Sequence, residues 1–345
     1  MTESFPEAQI QALIAVLELS RAEQPADAAG LAGVEYFRTY RQDWTEALDE
    51  LVEQGWLARR DGAYLLTESG SVQAERLRAA RPPFYYWYCA YYEATRDSAA
   101  YAQFCARVFG RDFSQHGFSD MAQIDVMLAR LDLGPEDRVL ELGCGNGAMA
   151  EYVAQKTGAR VTGIDYIPEA IRQARERAAP RPDPLTFYVG DTGHLVDTQS
   201  RLPFRPHSFD AIIAVDTLYF TDLHDTVRQM RALLAPGGQM AIFYGHNRYT
   251  CDEPFDPATL APHRTPLGEA LAANGLSFET LDLSRADYDH AQLKKAVLEE
   301  LRPALEAEGN HFLFQNRYGE ARGAMRVFEA GESVRYLYHV RSKAN

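Results

Sequence analysis

One ten-residue stretch constrains this chain more than any other, Arg138-Val-Leu-Glu-Leu-Gly-Cys-Gly-Asn-Gly147. Its apolar residues up to Leu142 read as a buried strand, its three glycines as a loop, and Ala148 as the opening of a helix. Glycine permits the turn and lets a ligand approach the backbone closely. Eighteen residues beyond Gly147, Val161-Thr-Gly-Ile-Asp165 reads as a second strand closed by a carboxylate. That spacing suits an acid accepting hydrogen bonds from ribose hydroxyls. Taken alone, the pattern admits any adenosine-bearing cofactor, nicotinamide dinucleotides included.

Three features argue against a dinucleotide. The third glycine comes one residue too early for the Gly-x-Gly-x-x-Gly form that seats a pyrophosphate on a helix N-terminus. Glu141 stands two residues before the first glycine, where a negative charge suits a cationic cofactor or its amino group better than a diphosphate. A third acid, Asp191, closes Phe187-Tyr-Val-Gly-Asp191, where it can accept from an adenine amine. Carboxylates at the ends of three successive strands match the adenosine and the methionine amine of S-adenosylmethionine. Each acid alone reads as an ordinary surface or capping carboxylate, and the three together do not.

The stretch 134–245 resembles the core of the class I S-adenosylmethionine-dependent methyltransferases, in their small-molecule branch. Leu202-Pro-Phe-Arg-Pro-His-Ser-Phe-Asp210 is similar to that branch's turn into its fourth strand, and Leu233-Leu-Ala-Pro-Gly-Gly238 to its turn into the fifth. The resemblance implies that Glu141, Gly143 and Gly145, with Cys144 in the same loop, surround the methionine part. It assigns Asp165 to the ribose, Tyr166 to stacking beside the adenine, and Asp191 with Thr192 to the adenine edge. Asp216, just past the fourth strand, would lie near the reacting methyl group, and S-adenosylhomocysteine would be the product.

Strand and helix alternate from residue 138 onward, as a parallel sheet with crossover helices requires. Strands are expected at 138–142, 160–164, 185–189, 210–214, 238–244, 277–283 and 333–340, with an extra helical stretch at about 289–330. The expected fold is α/β, a Rossmann-like, doubly wound sheet of seven strands with an antiparallel last strand. Residues 134–345 would form this methyltransferase domain, with about 289–330 as a helical lid or as a covering layer for the sheet.

Residues 1–81 read differently. Helices are expected at about Phe5–Leu19, Leu31–Tyr40 and Trp44–Gln54, followed by a hairpin turning at Asp61-Gly62. Three helices and a hairpin resemble a winged-helix module, a small α+β domain. Its third helix carries Glu46, Asp49, Glu50 and Glu53 and no basic residue, so phosphates would be repelled. A dimerisation or pocket-closing role fits better than DNA reading. Between the two lies a connector at 82–133, where Pro82-Pro83 suits a helix start. Phe84-Tyr-Tyr-Trp-Tyr-Cys-Ala-Tyr-Tyr92 then places rings on every side of a helix, for core packing at a junction or for an apolar or cationic substrate.

A methyl acceptor with an oxygen nucleophile usually needs a base. Candidates are His246 after the fifth strand, His116 in the polar loop Phe113-Ser-Gln-His-Gly-Phe-Ser-Asp-Met121, and Tyr219; His194 would help frame the cofactor. The four cysteines (Cys89, Cys105, Cys144, Cys251) are scattered, which excludes a Cys-x-x-Cys zinc site and suggests a reducing cytoplasm. No metal is expected. The net charge of −14 disfavours nucleic acid, no apolar run reaches membrane-spanning length, and no signal peptide is read at the N-terminus. The expected partners are a small organic acceptor and a second copy of the chain.

Overall fold

Two units emerge from these patterns in the computed structural model, Met1–Tyr91 and Tyr92–Asn345. The structure describes residues 6–34, 37, 43–81, 84–180, 183–247 and 255–342. The division falls within the aromatic helix. Pro82-Pro83 and Cys251 lie outside the described residues.

In the first unit, α1 (Glu7–Arg21) is apolar almost all round, and Ala12, Leu13, Ile14 and Ala15 are fully buried. A helix of that kind is a core element. Against it pack α2 (Ala28–Gly33), α3 (Thr45–Glu53), β1 (Leu57–Arg60), β2 (Ala63–Leu66) and α4 (Glu68–Ala79). The second helix begins earlier than its apolar pattern suggests, because Asp27 caps it by accepting from Gly30 N–H at 2.8 Å. It ends at Gly33, where Val34 turns extended; the expected end at Tyr40 lies outside the described residues. Asp61 and Gly62 both take positive φ, 52° and 81°, the turn that a tight right-twisted hairpin needs. Ala26 bridges to Tyr64 as a third, single-residue strand position on that hairpin. On α3 the leucines face inward while Glu46, Asp49 and Glu53 are exposed. Helix α5 (Tyr85–Arg96) crosses the division.

The second unit continues with α6 (Ala99–Phe109), α7 (Met121–Leu131), β3 (Arg138–Leu142), α8 (Ala148–Thr157), β4 (Arg160–Asp165), α9 (Pro168–Ala178), β5 (Leu185–Val189) and β6 (Phe209–Val215). It ends with α10 (Leu223–Leu233), β7 (Leu234–His246), α11 (Pro266–Ala273), β8 (Phe278–Asp282), α12 (Ser284–Ala307), α13 (His311–Glu329) and β9 (Val334–Arg341). The sheet order is β5-β4-β3-β6-β7-β9-β8, with β9 antiparallel to both neighbours. All seven expected strands are present. β7 starts four residues early, because Leu234 already pairs with Phe209 before a register shift.

Period-two alternation sends Val139, Val161, Phe187, Ile213 and Phe243 to one face, under α7, α8 and α9. Leu140, Ile164, Ile212 and Ile242 go to the other, under α10 and α11. The strands read as continuous apolar runs because both faces are covered. The chain winds outward from β3 through β5, then returns to β6, so the carboxyl ends of β3 and β6 flank a topological switch point. Open α/β sheets bind their ligands at such a point. The antiparallel β9 contributes its first residues to the same edge, since its Arg335 lies opposite Gly245.

The helical stretch before β9 is a pair, α12 and α13, joined around Gly309. Helix α6 is fastened to α12 by an Arg107–Glu300 ion pair. Glu308 also caps α6, accepting from Ala100 N–H at 3.0 Å and from the Ser98 hydroxyl. The loop 110–120 thus leaves α6 next to the inserted helices and enters α7 at the sheet edge.

Candidate functional site

The glycine loop is built as its sequence requires. Gly143, Gly145 and Gly147 all take positive φ (68°, 53° and 76°), where a side chain is strained. Cys144 N–H bonds the Ile164 carbonyl at 2.9 Å, tying the loop to β4. Gly145 N–H donates to Asp165 Oδ2 and Ile167 N–H to Oδ1, each at 2.9 Å. Asp165 therefore fixes the loop and its own turn. Its carboxyl is pushed up by burial, against the pull of those amides.

Glu141 stands apart. It is buried, and its Oε2 has no hydrogen-bond partner among the described residues. Burial first, and the nearby Asp165 charge second, raise its carboxyl to about 8. An unsatisfied carboxylate at this depth is unfavourable without a cation or donor beside it. A ligand that brings an ammonium to the loop supplies one, so the residues present fit S-adenosylmethionine.

At the end of β5, Asp191, Thr192 and the neighbouring Tyr166 are half-buried. Asp191 Oδ1 accepts from Gly193 N–H at 2.8 Å. Sequence reading missed what holds this loop, which is Gln229 of α10. Fully buried, it accepts from Leu195 and Val196 N–H at 2.7 and 3.0 Å and donates to the Gly193 carbonyl at 2.6 Å. The signal was a lone amide on the apolar stripe Val227, Met230, Leu233. His194 is paired to Asp197 at 2.6 Å, which raises its pKa.

The acceptor-side candidates are spread along one edge. Tyr219 Oη accepts from Gly245 N–H at 2.9 Å, and its ring stacks on Tyr244. It is thereby tied to the end of β7, next to His246. His246 Nε2 contacts Thr259 Oγ1 at 3.1 Å, and burial lowers its pKa, so its ring is neutral at pH 7. His116 sits instead in the loop before α7, with Nε2 at 3.2 Å from Asn316 Oδ1 of α13. Burial and the Arg317 charge push it down to about 4. Such an imidazole is a weak base.

Asp216 follows directly on the end of β6. Its carboxylate is committed inside the protein, to Arg335 Nη2 at 2.9 Å and to Phe118 N–H at 2.8 Å. No sequence motif announced Arg335. Among the described residues no group of three His, Cys, Asp or Glu side chains is placed to hold a metal ion.

Residues 139–238 match the family model described as a methyltransferase domain, and residues 82–188 match that of mycolic acid cyclopropane synthetase. Methyltransferase GfsG of Streptomyces halstedii is 34% identical over 116 residues, 33% of this chain and 39% of that protein. The chain spans 39% to 62% of the length of the curated relatives it matches. Two solved structures are similar in fold. The cyclopropane synthase MmaA2 of Mycobacterium tuberculosis has a TM-score of 0.55 at 14% identity, over 73% of this chain and 98% of that one. Geranyl diphosphate C-methyltransferase of Streptomyces coelicolor A3(2), solved with Mg2+, geranyl diphosphate and S-adenosyl-L-homocysteine, has a TM-score of 0.50 at 18% identity, over 64% and 78%. Over its glycine loop and the strands around it, this chain is therefore similar to methyltransferase domains, and over 64% to 73% of its length its fold is similar to that of these two solved structures.

Proposed function

We propose that the protein transfers the methyl group of S-adenosylmethionine to an oxygen, nitrogen or carbon atom of a small organic molecule. The observation that carries this reading is the buried Glu141, whose Oε2 has no hydrogen-bond partner among the described residues, beside a glycine loop pinned by Asp165. Glu141 would receive the amine of the methionine part, and Gly143, Cys144 and Gly145 would line that part. Asp165 would hold the ribose, Tyr166 would stack beside the adenine, and Asp191 with Thr192 would meet the adenine edge. When bound, the cofactor supplies a methyl group already activated on a sulfonium. What is left to the protein is to align the acceptor and exclude water. For an acceptor that must lose a proton, His246 is the better base, being neutral at pH 7 and at the carboxyl end of β7. Tyr219 would orient the same acceptor.

The first unit supports a winged-helix-like reading, with the Ala26–Tyr64 bridge as its third strand position. We assign it to pairing with a second copy, because the exposed acids of α3 oppose a nucleic-acid role. Cys89, Cys105 and Cys144 are buried, which suits a reducing cytoplasm, and no described helix is long and apolar enough to cross a membrane.

Titration calorimetry tests the central claim. S-adenosylmethionine and S-adenosylhomocysteine should both bind, and Asp165→Ala should weaken each at least about tenfold, the loss of one or two hydrogen bonds to a charged group. No binding by the wild-type chain, or an unchanged affinity in Asp165→Ala, overturns it.

A further inference from the structure

Arg335 has no part in the expected chemistry, yet it is as completely buried as any side chain in the protein. It enters from β9, the antiparallel strand that reaches the ligand edge of the sheet. Its guanidinium donates to both oxygens of Asp216 at 2.9 Å, to Ser119 Oγ at 2.6 Å and to Gln123 Oε1 at 2.9 Å. Both side chains of the Arg335–Asp216 pair are only 1% exposed, and the guanidinium lies over the Phe243 ring at 5.1 Å. A planar fork of five donors suits this four-way contact, and an ammonium does not.

What the pair joins is unusual. Asp216 takes a left-handed φ of 53°, which aims the next residue, Thr217, at the glycine loop. A Cβ on Gly143 would meet Thr217 Oγ1 at 2.1 Å, so Thr217 lies directly on that loop. Asp216 Oδ2 accepts from Phe118 N–H as well, and Gly117 lies so close that a Cβ there would meet the same oxygen at 3.2 Å. Arg317 and Lys294, from the inserted helices, grip the same loop through the carbonyls of His116 and Gly117.

We propose that Arg335 is a positioning residue: through Asp216 it sets the cofactor-side segment 216–217 and the loop 116–119 at one fixed separation, so that glycine loop and inserted helices share a single anchor. This rests on the methyltransferase reading for its functional meaning, but the coupling itself belongs to the ligand-free fold. Breaking the pair removes the charged donor that orients Asp216, which itself holds the loop through Phe118 N–H and Ser119 Oγ.

The test uses the full chain with Arg335→Met, Arg335→Lys and Asp216→Asn, and Leu305→Ala as a control. Leu305 is buried in α12, so its truncation lowers the melting temperature through lost packing alone. Hydrogen exchange should rise at least about tenfold in peptides covering 116–119, 143–147 and 215–218 in Arg335→Met, and not in Leu305→Ala. Affinity for S-adenosylhomocysteine should fall about tenfold or more, with the Asp216→Asn/Arg335→Met double variant no weaker than the worse single one. Arg335→Lys should fall between, and it decides the matter if Arg335→Met does not fold. Unchanged local exchange, or an additive double variant, overturns the proposal. If the wild-type chain binds no S-adenosylhomocysteine, the methyltransferase reading fails and the exchange result still judges the anchor.

Discussion

Gly147→Ala should lower the melting temperature of the second unit by on the order of 10 °C and weaken cofactor binding severely, while Gly237→Ala should do far less. Both glycines have nearly the same backbone, with φ of 76° and 78°. An alanine at either one meets the left-handed penalty of about 1–2 kcal/mol. They differ in surroundings. A Cβ at Gly237 meets nothing within 4 Å, whereas one at Gly147 meets Phe187 Cζ at 2.7 Å and Ala174 Cβ at 2.9 Å. Phe187 and Ala174 are both buried in the core beneath the sheet, and Ala174 has no rotamer by which to withdraw. Overpacking of that kind adds about 1–3 kcal/mol. The sum, about 2–5 kcal/mol, moves the midpoint of a unit this size by about 2–4 °C per kcal/mol. The clash also displaces the first turn of α8 and with it the loop from Gly143 to Gly147. Calorimetric titration with S-adenosylhomocysteine, run well below the midpoint, should then show an affinity reduced more than about a hundredfold. Equal midpoints for the two variants would mean that the loop gives way at no steric cost, and the packing account would be wrong.

The parts of this site legible in sequence were those whose cause is local. A buried strand that ends in a glycine loop announces itself through apolar run, glycine spacing and helix start. The acids Glu141, Asp165 and Asp191 are visible because each sits at the end of its own strand. The parts that were not legible depend on partners far along the chain. Asp216 looks like one more strand-end acid until Arg335, 119 residues away, is seen to hold it. Lys294 and Arg317 belong to no sequence motif, yet both are buried and donate to the carbonyls of Gly117 and His116. The insertion before β9 was legible as helical, but its role as a grip on the loop before α7 could only come from three-dimensional neighbours. In the first unit, Asp27 moved the start of a helix that apolar periodicity placed three residues later, since a cap outranks a weak stripe.

Glu141 makes the second large prediction, and it concerns protons. In the folded, ligand-free chain its carboxyl titrates at about 8, raised first by burial and then by Asp165. Unfolded, it titrates near the ordinary glutamate value of about 4.3. Between those two values the folded state holds a proton that the unfolded state has released, so stability falls as pH rises through this window. The slope is at most about 1.4 kcal/mol per pH unit, and the whole effect is on the order of 3–5 kcal/mol above pH 8. The raised carboxyl of Asp165 acts in the same direction. Glu141→Gln keeps the shape and removes the proton, so its melting temperature should fall less steeply between pH 6 and 8.5. The ligand inverts this preference. A bound ammonium beside Glu141 favours the carboxylate, so near pH 7 uptake of S-adenosylmethionine should expel close to one proton per site. Apparent affinity should then climb up to about tenfold per pH unit until Glu141 is ionised, even as the ligand-free fold weakens. Calorimetry in phosphate and in Tris, whose ionisation enthalpies differ widely, reads the released proton directly. In Glu141→Gln the two buffers should give equal heats, the affinity at pH 6 should match wild type, and at pH 8.5 it should be weaker by tenfold or more, on the order of a hydrogen bond to a charged group. Equal heats in the wild-type chain would place the buried charge elsewhere.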